Sequence, residues 1–175
     1  MVKVLKSALI TLIAMAITVG FVAPLSAQAS VKSKTVQGLH GEILIATPTT
    51  IASGNAIKVR GAHFDETVGI YLAFCVIPAK GKAPTPCGGG INKSGVGDAS
   101  YWISSNPPPY GVGLAGEFLP GGRFVRTLHI SSKIGKIDCR KVRCAITVRA
   151  DHTREAERGY DLFIPITFSK VIATK

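Results

Sequence analysis

The sequence predicts an all-β protein, a seven-stranded antiparallel β-sandwich of immunoglobulin-like size, and three observations support this. Several segments of the 175-residue chain alternate apolar and polar residues with the period of two that a half-buried strand requires. Clusters of glycine, proline, serine and asparagine, typical of turns, separate these segments. The one stretch with helical character, residues 153–158, is too short to form a stable helix alone. Seven short strands without helices are typical of a sandwich.

The first 29 residues have the pattern of a secretory signal peptide. Two lysines precede an apolar run over residues 8–25, and Ala27 and Ala29 form a small-x-small cleavage site. A retained membrane anchor is the alternative, because about 18 apolar residues nearly span a bilayer. Pro24 and the cleavage site favour secretion to the extracellular side. We therefore expect a signal peptide over 1–29, a flexible segment over 30–41, one domain over 42–170 and a tail over 171–175.

The expected strands follow from the alternation of apolar side chains. In the third of them, Ile70, Leu72 and Phe74 fall on the core side, while Tyr71 falls on the opposite face. Pro165 cannot donate a ladder hydrogen bond, so the last strand should lie at an edge or carry a bulge. The seven segments are 43–47, 57–60, 68–75, 100–104, 124–130, 144–149 and 162–168.

Four cysteines in an exported chain imply two disulfides, and sequence alone permits three pairings. Pairing between neighbours, Cys75 with Cys87 and Cys139 with Cys144, would clamp one loop and close one turn. A crossed pairing would instead join two sheets, as in antibody domains. Zinc is a rival explanation, but the chain has no C-x-x-C motif and no histidine near either pair. We favour the local pairing.

The formal net charge is +11, from 21 Lys and Arg against 10 Asp and Glu, and loss of the signal peptide would leave +9. The basic residues are scattered, and aromatic residues make up 7% of the chain. Direct binding of DNA would need basic residues gathered beside stacking aromatics, which this pattern does not favour. Outside a cell, a wall polyanion or a surface protein is the natural partner for a functional positive charge.

No motif of a common hydrolase or metalloenzyme is present, so we expect no enzyme, no metal and no cofactor. Asp151 and His152 have the composition of a catalytic pair, but adjacent loop residues do not supply the required geometry of base and orienting group. We expect Asp151 to cap the short helix that begins at Thr153 or an adjoining turn. We expect His152 to be a solvated loop residue.

Residues 101–111 form the most unusual stretch, because they contain the only tryptophan, two of the four tyrosines and three consecutive prolines. Such a proline run is extended and preordered, and it could present Tyr110 and Trp102 to a partner at little entropic cost. For Trp102 we favour a core position on its strand, with the prolines shaping a long crossover.

Several of these features occur together in a recognisable order. They are 57-IKVRGA-62, a strand ending at Cys75, Cys87, 137-IDC-139 with Cys144, and 164-IPITF-168. In order and approximate spacing they resemble the neocarzinostatin family of secreted apoproteins, over about residues 49–168. The resemblance implies a seven-stranded immunoglobulin-like sandwich with two local disulfides. It also implies a non-catalytic, antibiotic-binding carrier that protects an enediyne chromophore in a cleft on one side.

The resemblance implies a cleft between the loop that the Cys75–Cys87 bridge clamps and the loop that begins near Arg149. Ile77 falls near a position where the family has an aromatic residue. The expected function is a secreted carrier of a small apolar ligand; the alternative is a cell-envelope or extracellular module that binds a protein or an anionic wall polymer. The candidate ligand-binding residues are Cys75, Ile77, Cys87, Tyr110, Arg149, Asp151 and His152.

Overall fold

The computed structural model describes residues 31–88, 96–97 and 100–169. The signal peptide expected over 1–29 and the tail expected over 171–175 lie outside these residues. Within them, every helix is too short to cross a membrane. The described chain is all-β, with fourteen strands and two short 3-10 helices.

The strands alternate between sheets along the chain, so several sheet neighbours are not consecutive in sequence. The 3-10 helices cover Pro109–Gly111 and Arg158–Tyr160. The strands are β1 (Lys34–Gln37), β2 (Ile43–Thr47), β3 (Thr50–Ile51), β4 (Ala56–Ala62), β5 (Ile70–Val76), β6 (Cys87–Gly88), β7 (Val96–Gly97), β8 (Ser100–Ile103), β9 (Phe124–His129), β10 (Lys133–Ile134), β11 (Ile137–Asp138), β12 (Cys144–Ala150), β13 (Leu162–Pro165) and β14 (Thr167–Phe168).

Two antiparallel sheets contain most of these strands. The four-stranded sheet has the order β1-β2-β4-β9, and the six-stranded sheet has the order β13-β12-β5-β8-β7, with β6 paired to β5. Two small pairs complete the described chain: β10 with β11, and β14 with β3, the latter parallel. The antiparallel all-β class predicted from the sequence is therefore confirmed.

Both sheets face one hydrophobic core, and the predicted alternation decides which side chains enter it. In β4, Ile57 and Val59 are buried while Lys58 and Arg60 are exposed. Burial of one such side chain contributes about 1.5–3 kcal/mol to folding. The shared core includes Leu44, Ile57, Val59, Phe124 and Leu128 from the four-stranded sheet and Ile70, Leu72, Phe74, Ile146 and Val148 from the six-stranded sheet.

The sequence predicts seven strands, and each predicted segment contains at least one of the fourteen. Six of the seven additional strands have only two residues each, and one of these six, β14, arises because the last predicted strand divides. The remaining difference is β1, which lies in the segment 30–41 expected to be flexible and pairs with β2 along its length. Only Val36 of β1 is even partly buried. Main-chain hydrogen bonds to β2 therefore hold this strand. Because such bonds do not require apolar side chains, the sequence of β1 shows no apolar alternation from which a strand could be predicted.

The last predicted strand divides at Ile166 into β13 and β14. β13 pairs only with β12 and ends at Pro165, so the edge position predicted from this proline is confirmed. The amide of Ile166 donates to the carbonyl of Cys144, and the chain then crosses to pair with β3. A strand that ends in proline can leave its sheet at that point because the proline offers no ladder donor.

Residues 153–158, predicted to be too short for a stable helix, form turns. The amides of Arg154 and Glu157 donate to carbonyls three residues earlier, which makes successive turns rather than an α-helix. Six residues provide too few hydrogen bonds to offset the cost of helix nucleation. The following residues, Arg158–Tyr160, form a single 3-10 turn.

Both disulfides join neighbouring cysteines. Cys75–Cys87 connects β5 to β6, and Cys139–Cys144 closes the turn before β12. This confirms the local pairing and contradicts the crossed one. All four thiols are consumed, so these cysteines are not zinc ligands.

Candidate functional site

A cavity of about 310 Å³ opens on the face of the six-stranded sheet that points away from the core. Three aromatic rings and one imidazole line it, those of Tyr71, Trp102, Tyr110 and His152. We call it the aromatic cavity. Two of these residues lie on strands and two lie in loops, so the cavity combines a rigid floor with a loop-borne rim.

Tyr71 and Trp102 form the floor because of strand register. They are direct partners across β5 and β8, next to the pair Ile70 and Ile103, whose side chains enter the core. Successive strand residues point to opposite faces, so Tyr71 and Trp102 must face outward. Both are nevertheless buried, with ring centroids 6.2 Å apart. The loops that flank the cavity therefore cover an outer face that alternation alone would leave in water.

His152 and Tyr110 close the rim. The imidazole Nδ1 of His152 is hydrogen-bonded to the hydroxyl of Tyr71, and its Nε2 to the hydroxyl of Tyr110. The same ring lies edge-on to Trp102 at a centroid distance of 5.1 Å. A neutral imidazole donates from one nitrogen and accepts at the other, so the two tyrosine hydroxyls take complementary roles. His152 thereby connects the loop after β12 to the proline-rich segment.

Asp151 supports the floor from below. It is 1% exposed, and its Oδ2 accepts a hydrogen bond of 2.9 Å from the indole Nε1 of Trp102. Its Oδ1 accepts from the amide and the hydroxyl of Thr153, which closes an Asx turn. A Cβ atom at Gly69 would overlap the carboxylate of Asp151, so glycine is required there. The carboxylate thus fixes both the indole plane and the loop that carries His152.

The proline run positions Tyr110. Three prolines lead into the 3-10 turn Pro109–Gly111, which brings the backbone over the indole of Trp102. A Cβ atom at Gly111 would overlap that ring. Tyr110 remains 64% exposed, so its ring is available at the mouth of the cavity. The hypothesis that the prolines present Tyr110 agrees with this arrangement. The core position expected for Trp102 is wrong: its side chain is buried, but on the outer face of the sheet beside its register partner Tyr71, where the proline-rich segment covers it.

One cation lies beside the floor. Arg149, the partner of Tyr71 on β12, places its guanidinium 5.7 Å from the centre of the Tyr71 ring. Burial raises the pKa of Tyr71 to about 12, with a further contribution from the negative charge of Asp151. The phenol therefore keeps its proton throughout the physiological range and remains able to donate to His152.

Asp161 is expected to make the free energy of unfolding depend on pH. Burial raises the pKa of this carboxyl to about 6, against the opposing effect of Arg158, whose NH1 lies 3.1 Å from its Oδ2. Between about pH 4 and 6 the folded state binds this proton more tightly than the unfolded state does, so stability falls as the pH rises through that window.

Stability, measured by urea denaturation, is expected to fall by about 2 kcal/mol between pH 4 and pH 7, and the Asp161→Asn variant should lose this fall. The exposed Glu117, changed to Gln, serves as the control and should keep the wild-type difference. An unchanged pH difference in Asp161→Asn would contradict the assignment.

The structure brings together only part of the residues suggested by the sequence. Tyr110 and His152 line the aromatic cavity, while Arg149 and Asp151 contact its floor. The other three candidates, Cys75, Ile77 and Cys87, do not line it; they lie at the far end of β5 and beyond. Among the described residues, the cavity therefore lies between the Asp151 loop and the proline-rich segment rather than beside the Cys75–Cys87 bridge.

Asp151 and His152 each make more contacts than the sequence predicts. Asp151 caps a turn at Thr153, as one of the two expected arrangements, but it also holds Trp102. His152 is exposed, yet it is not a purely solvated residue, because three aromatic rings surround it. Tyr71 and Trp102 were not among the candidates. Alternation placed Tyr71 on the outer face of the sheet. A large aromatic side chain on a face expected to be in water was the signal that could have indicated a site there.

The polar groups at this site are hydrogen-bonded to aromatic side chains and to one turn. The Asp151 carboxylate faces Trp102 and Thr153 and makes no hydrogen bond to the imidazole of His152. The two residues therefore do not form the pair of base and orienting group that nucleophilic catalysis uses. Within residues 31–88, 96–97 and 100–169, no three His, Cys, Asp or Glu side chains gather into a potential metal site.

Comparisons with known proteins give one similarity. No family model matches the sequence, and no curated protein matches it. Among solved structures, the chain is similar to macromomycin, a member of the neocarzinostatin family, with a TM-score of 0.49 and 15% sequence identity. The similarity covers 74% of this chain and 100% of macromomycin.

Proposed function

We propose that this chain is a secreted, non-catalytic binding protein that holds a small, largely apolar ligand in the aromatic cavity. The observation that carries the proposal is the outward-facing pair Tyr71 and Trp102, roofed by Tyr110 and His152 around about 310 Å³. Known ligand sites occupy about 300–1,000 Å³ and are lined mainly by apolar and aromatic side chains with few polar groups. The proposal includes an immunoglobulin-like sandwich as the scaffold and export through the N-terminal signal.

A flat ligand suits this cavity best. Two buried rings held by strand pairing form the floor and the exposed Tyr110 ring adds a face at the mouth, and aromatic partners prefer offset or edge-to-face contact with such rings. The Nε2 of His152 and the hydroxyl of Tyr110 supply polar contacts at the mouth. These groups would orient a ligand whose one edge carries a hydrogen-bonding atom.

The resemblance to the neocarzinostatin family suggests an enediyne chromophore as one such ligand. Ile77, near the position where that family has an aromatic residue, does not line the aromatic cavity. Tyr71 and Trp102 would supply the stacking surface in its place. Two disulfides in the described chain support a role outside the cell, where such bonds persist.

The cavity can be tested directly because Trp102 is the only tryptophan of the chain. Titration with the uncharged probe N-phenyl-1-naphthylamine is expected to quench Trp102 fluorescence to saturation, with a matching rise in probe emission. The Tyr110→Ala variant is expected to weaken this binding about tenfold, which corresponds to about 1.4 kcal/mol. Tyr160→Ala is the matched control, since Tyr160 stacks on His40 and does not line the cavity.

Absence of saturable quenching, or an equal loss in both tyrosine variants, would refute the proposal. Mass spectrometry of the protein purified from its native culture medium is a second, independent test, and a retained small molecule is the expected result. That molecule should be displaced by the naphthylamine probe, as monitored by native mass spectrometry.

A second candidate function rests on exposure of the proline-rich segment. Tyr110 and Val112 are 64% and 72% exposed, an unusual pair of apolar side chains on one short loop. As an extracellular interaction module, the chain would bind a protein partner through this loop. In that case Val112→Ser should abolish partner binding while leaving the naphthylamine affinity unchanged, a result that separates the two functions.

A further inference from the structure

A second depression lies between the turn closed by Cys139–Cys144 and the strand β14. Its volume is about 440 Å³. Cations occupy its rim and apolar side chains occupy its floor. We call it the basic groove; its residues are Arg140, Lys141, Val142 and Arg143 from the turn with Cys139, and Ile166, Thr167, Phe168 and Ser169 from the facing strand.

The rim is held in place. Residues 140–143 are all exposed, whereas Cys139 and Cys144 on either side are buried and bonded to each other. The amides of Lys141 and Val142 both donate to the carbonyl of Asp138, and the carbonyl of Arg143 accepts from Ile77. A turn fixed at both ends and in its middle presents its side chains with little backbone entropy left to lose on binding.

The rim carries unbalanced positive charge. Arg140 has a partner in Asp138 at 3.8 Å, a separation at which an exposed ion pair contributes little. The side chains of Lys141 and Arg143 make no ion pair or hydrogen bond to any residue that the structure describes. Two cations therefore remain available to an anionic ligand, and a third is only weakly neutralised.

The floor is apolar. Ile166 and Phe168 are 6% and 9% exposed, and they present the remaining exposed part of their side chains to the groove. Three exposed cations, at positions 140, 141 and 143, come from one short turn on the rim. A rim of spaced cations over an apolar floor fits a chain in which anionic groups alternate with short carbon linkers.

We propose that the basic groove binds a polyol phosphate polymer, a linear phosphodiester chain with carbon linkers. The guanidinium groups of Arg140 and Arg143 provide the forked donors that suit phosphate oxygens, and Lys141 adds a point charge. Ile166 and Phe168 contact the linkers. The groove shares no residue with the aromatic cavity, so this site would keep the secreted carrier at an anionic wall independently of its ligand.

The test compares two triple variants of equal charge by binding to poly(glycerol phosphate) in low salt. The groove variant replaces Arg140, Lys141 and Arg143 by Gln. The control variant replaces three other exposed cations, Lys58, Arg60 and Arg123, by Gln. We expect the groove variant to lose at least about tenfold in affinity and the control less than about threefold. Each phosphate contact contributes about 0.7 to the slope of log affinity against log salt. Loss of three contacts should therefore make the slope of the groove variant shallower by about 2.

An equal loss in both triple variants, or no loss in either, would overturn the proposal, since binding would then reflect net charge or another surface. Arg143→Lys, which keeps the charge but loses the forked donors, should lose less affinity than Arg143→Gln, and inorganic polyphosphate should bind more weakly than the carbon-linked polymer. Naphthylamine binding at Trp102 should be unchanged in the groove variant, which verifies its fold. If that probe fails to bind the wild type while polymer binding survives, the ligand-carrier function fails and the groove stands.

Discussion

Replacing Asp151 by alanine is expected to lower the free energy of unfolding by about 2–4 kcal/mol. The carboxylate is 1% exposed and accepts one hydrogen bond from Trp102 and two from Thr153. Without it, the indole N–H of Trp102 is buried with no acceptor, and the turn that carries His152 loses its cap. Urea denaturation gives the stability, and the emission of Trp102 should shift to the red as the floor of the aromatic cavity loosens.

Asp138 provides the control for this prediction. Its carboxylate also accepts a backbone amide two residues on, from Arg140 at 3.0 Å, but it supports no buried indole and is 28% exposed. Asp138→Ala should therefore cost about 1 kcal/mol or less. The isosteric Asp151→Asn should lie between the two, because the amide keeps the shape and loses the charge. Equal costs at both positions would show that the indole bond contributes nothing.

Removal of the Cys75–Cys87 bridge by a double change to alanine is expected to cost about 3 kcal/mol, as the loop entropy of a 12-residue separation predicts. The bridge joins β5, the central strand of the six-stranded sheet, to β6. Its loss enlarges the ensemble of the unfolded chain and releases the loop over 76–86. Urea denaturation of wild type and variant under oxidising conditions measures the difference.

The second bridge is the matched comparison. Cys139–Cys144 closes a separation of only 5 residues, so its removal should cost about 2 kcal/mol. Naphthylamine binding should persist in both double variants, because neither bridge lines the aromatic cavity. A larger loss for the shorter loop would contradict the entropic explanation. Loss of probe binding with the Cys75–Cys87 variant alone would extend the site toward that bridge.

The fold was largely readable from local patterns because each pattern acts over a few residues. Alternation in β5 placed Leu72 inward and Tyr71 outward, and the structure agrees. Pro165 indicated a strand edge for the same local reason, a missing donor. β1 was not readable, because main-chain pairing with β2 leaves no mark on its mostly exposed side chains.

The candidate site was only partly readable. Tyr110, His152 and Asp151 were identified from composition and from an unusual proline run, but their partners were not. The bond from Trp102 to Asp151 spans 49 residues, and the contacts of His152 with Tyr71 and Tyr110 span 81 and 42. Such contacts depend on strand register and loop path together, which no local pattern encodes.

The sequence by itself determined the all-β class, the positions of the main strands and the face to which Tyr71 points, and it favoured the local cysteine pairs among three possible pairings. Those properties follow from period-two burial and from short chain separations. The tertiary structure alone decided that Trp102 turns outward beside Tyr71 and that Asp151 and His152 hold this pair from below and above. The reason is that a buried polar group takes whichever partner the folded chain brings within hydrogen-bonding distance.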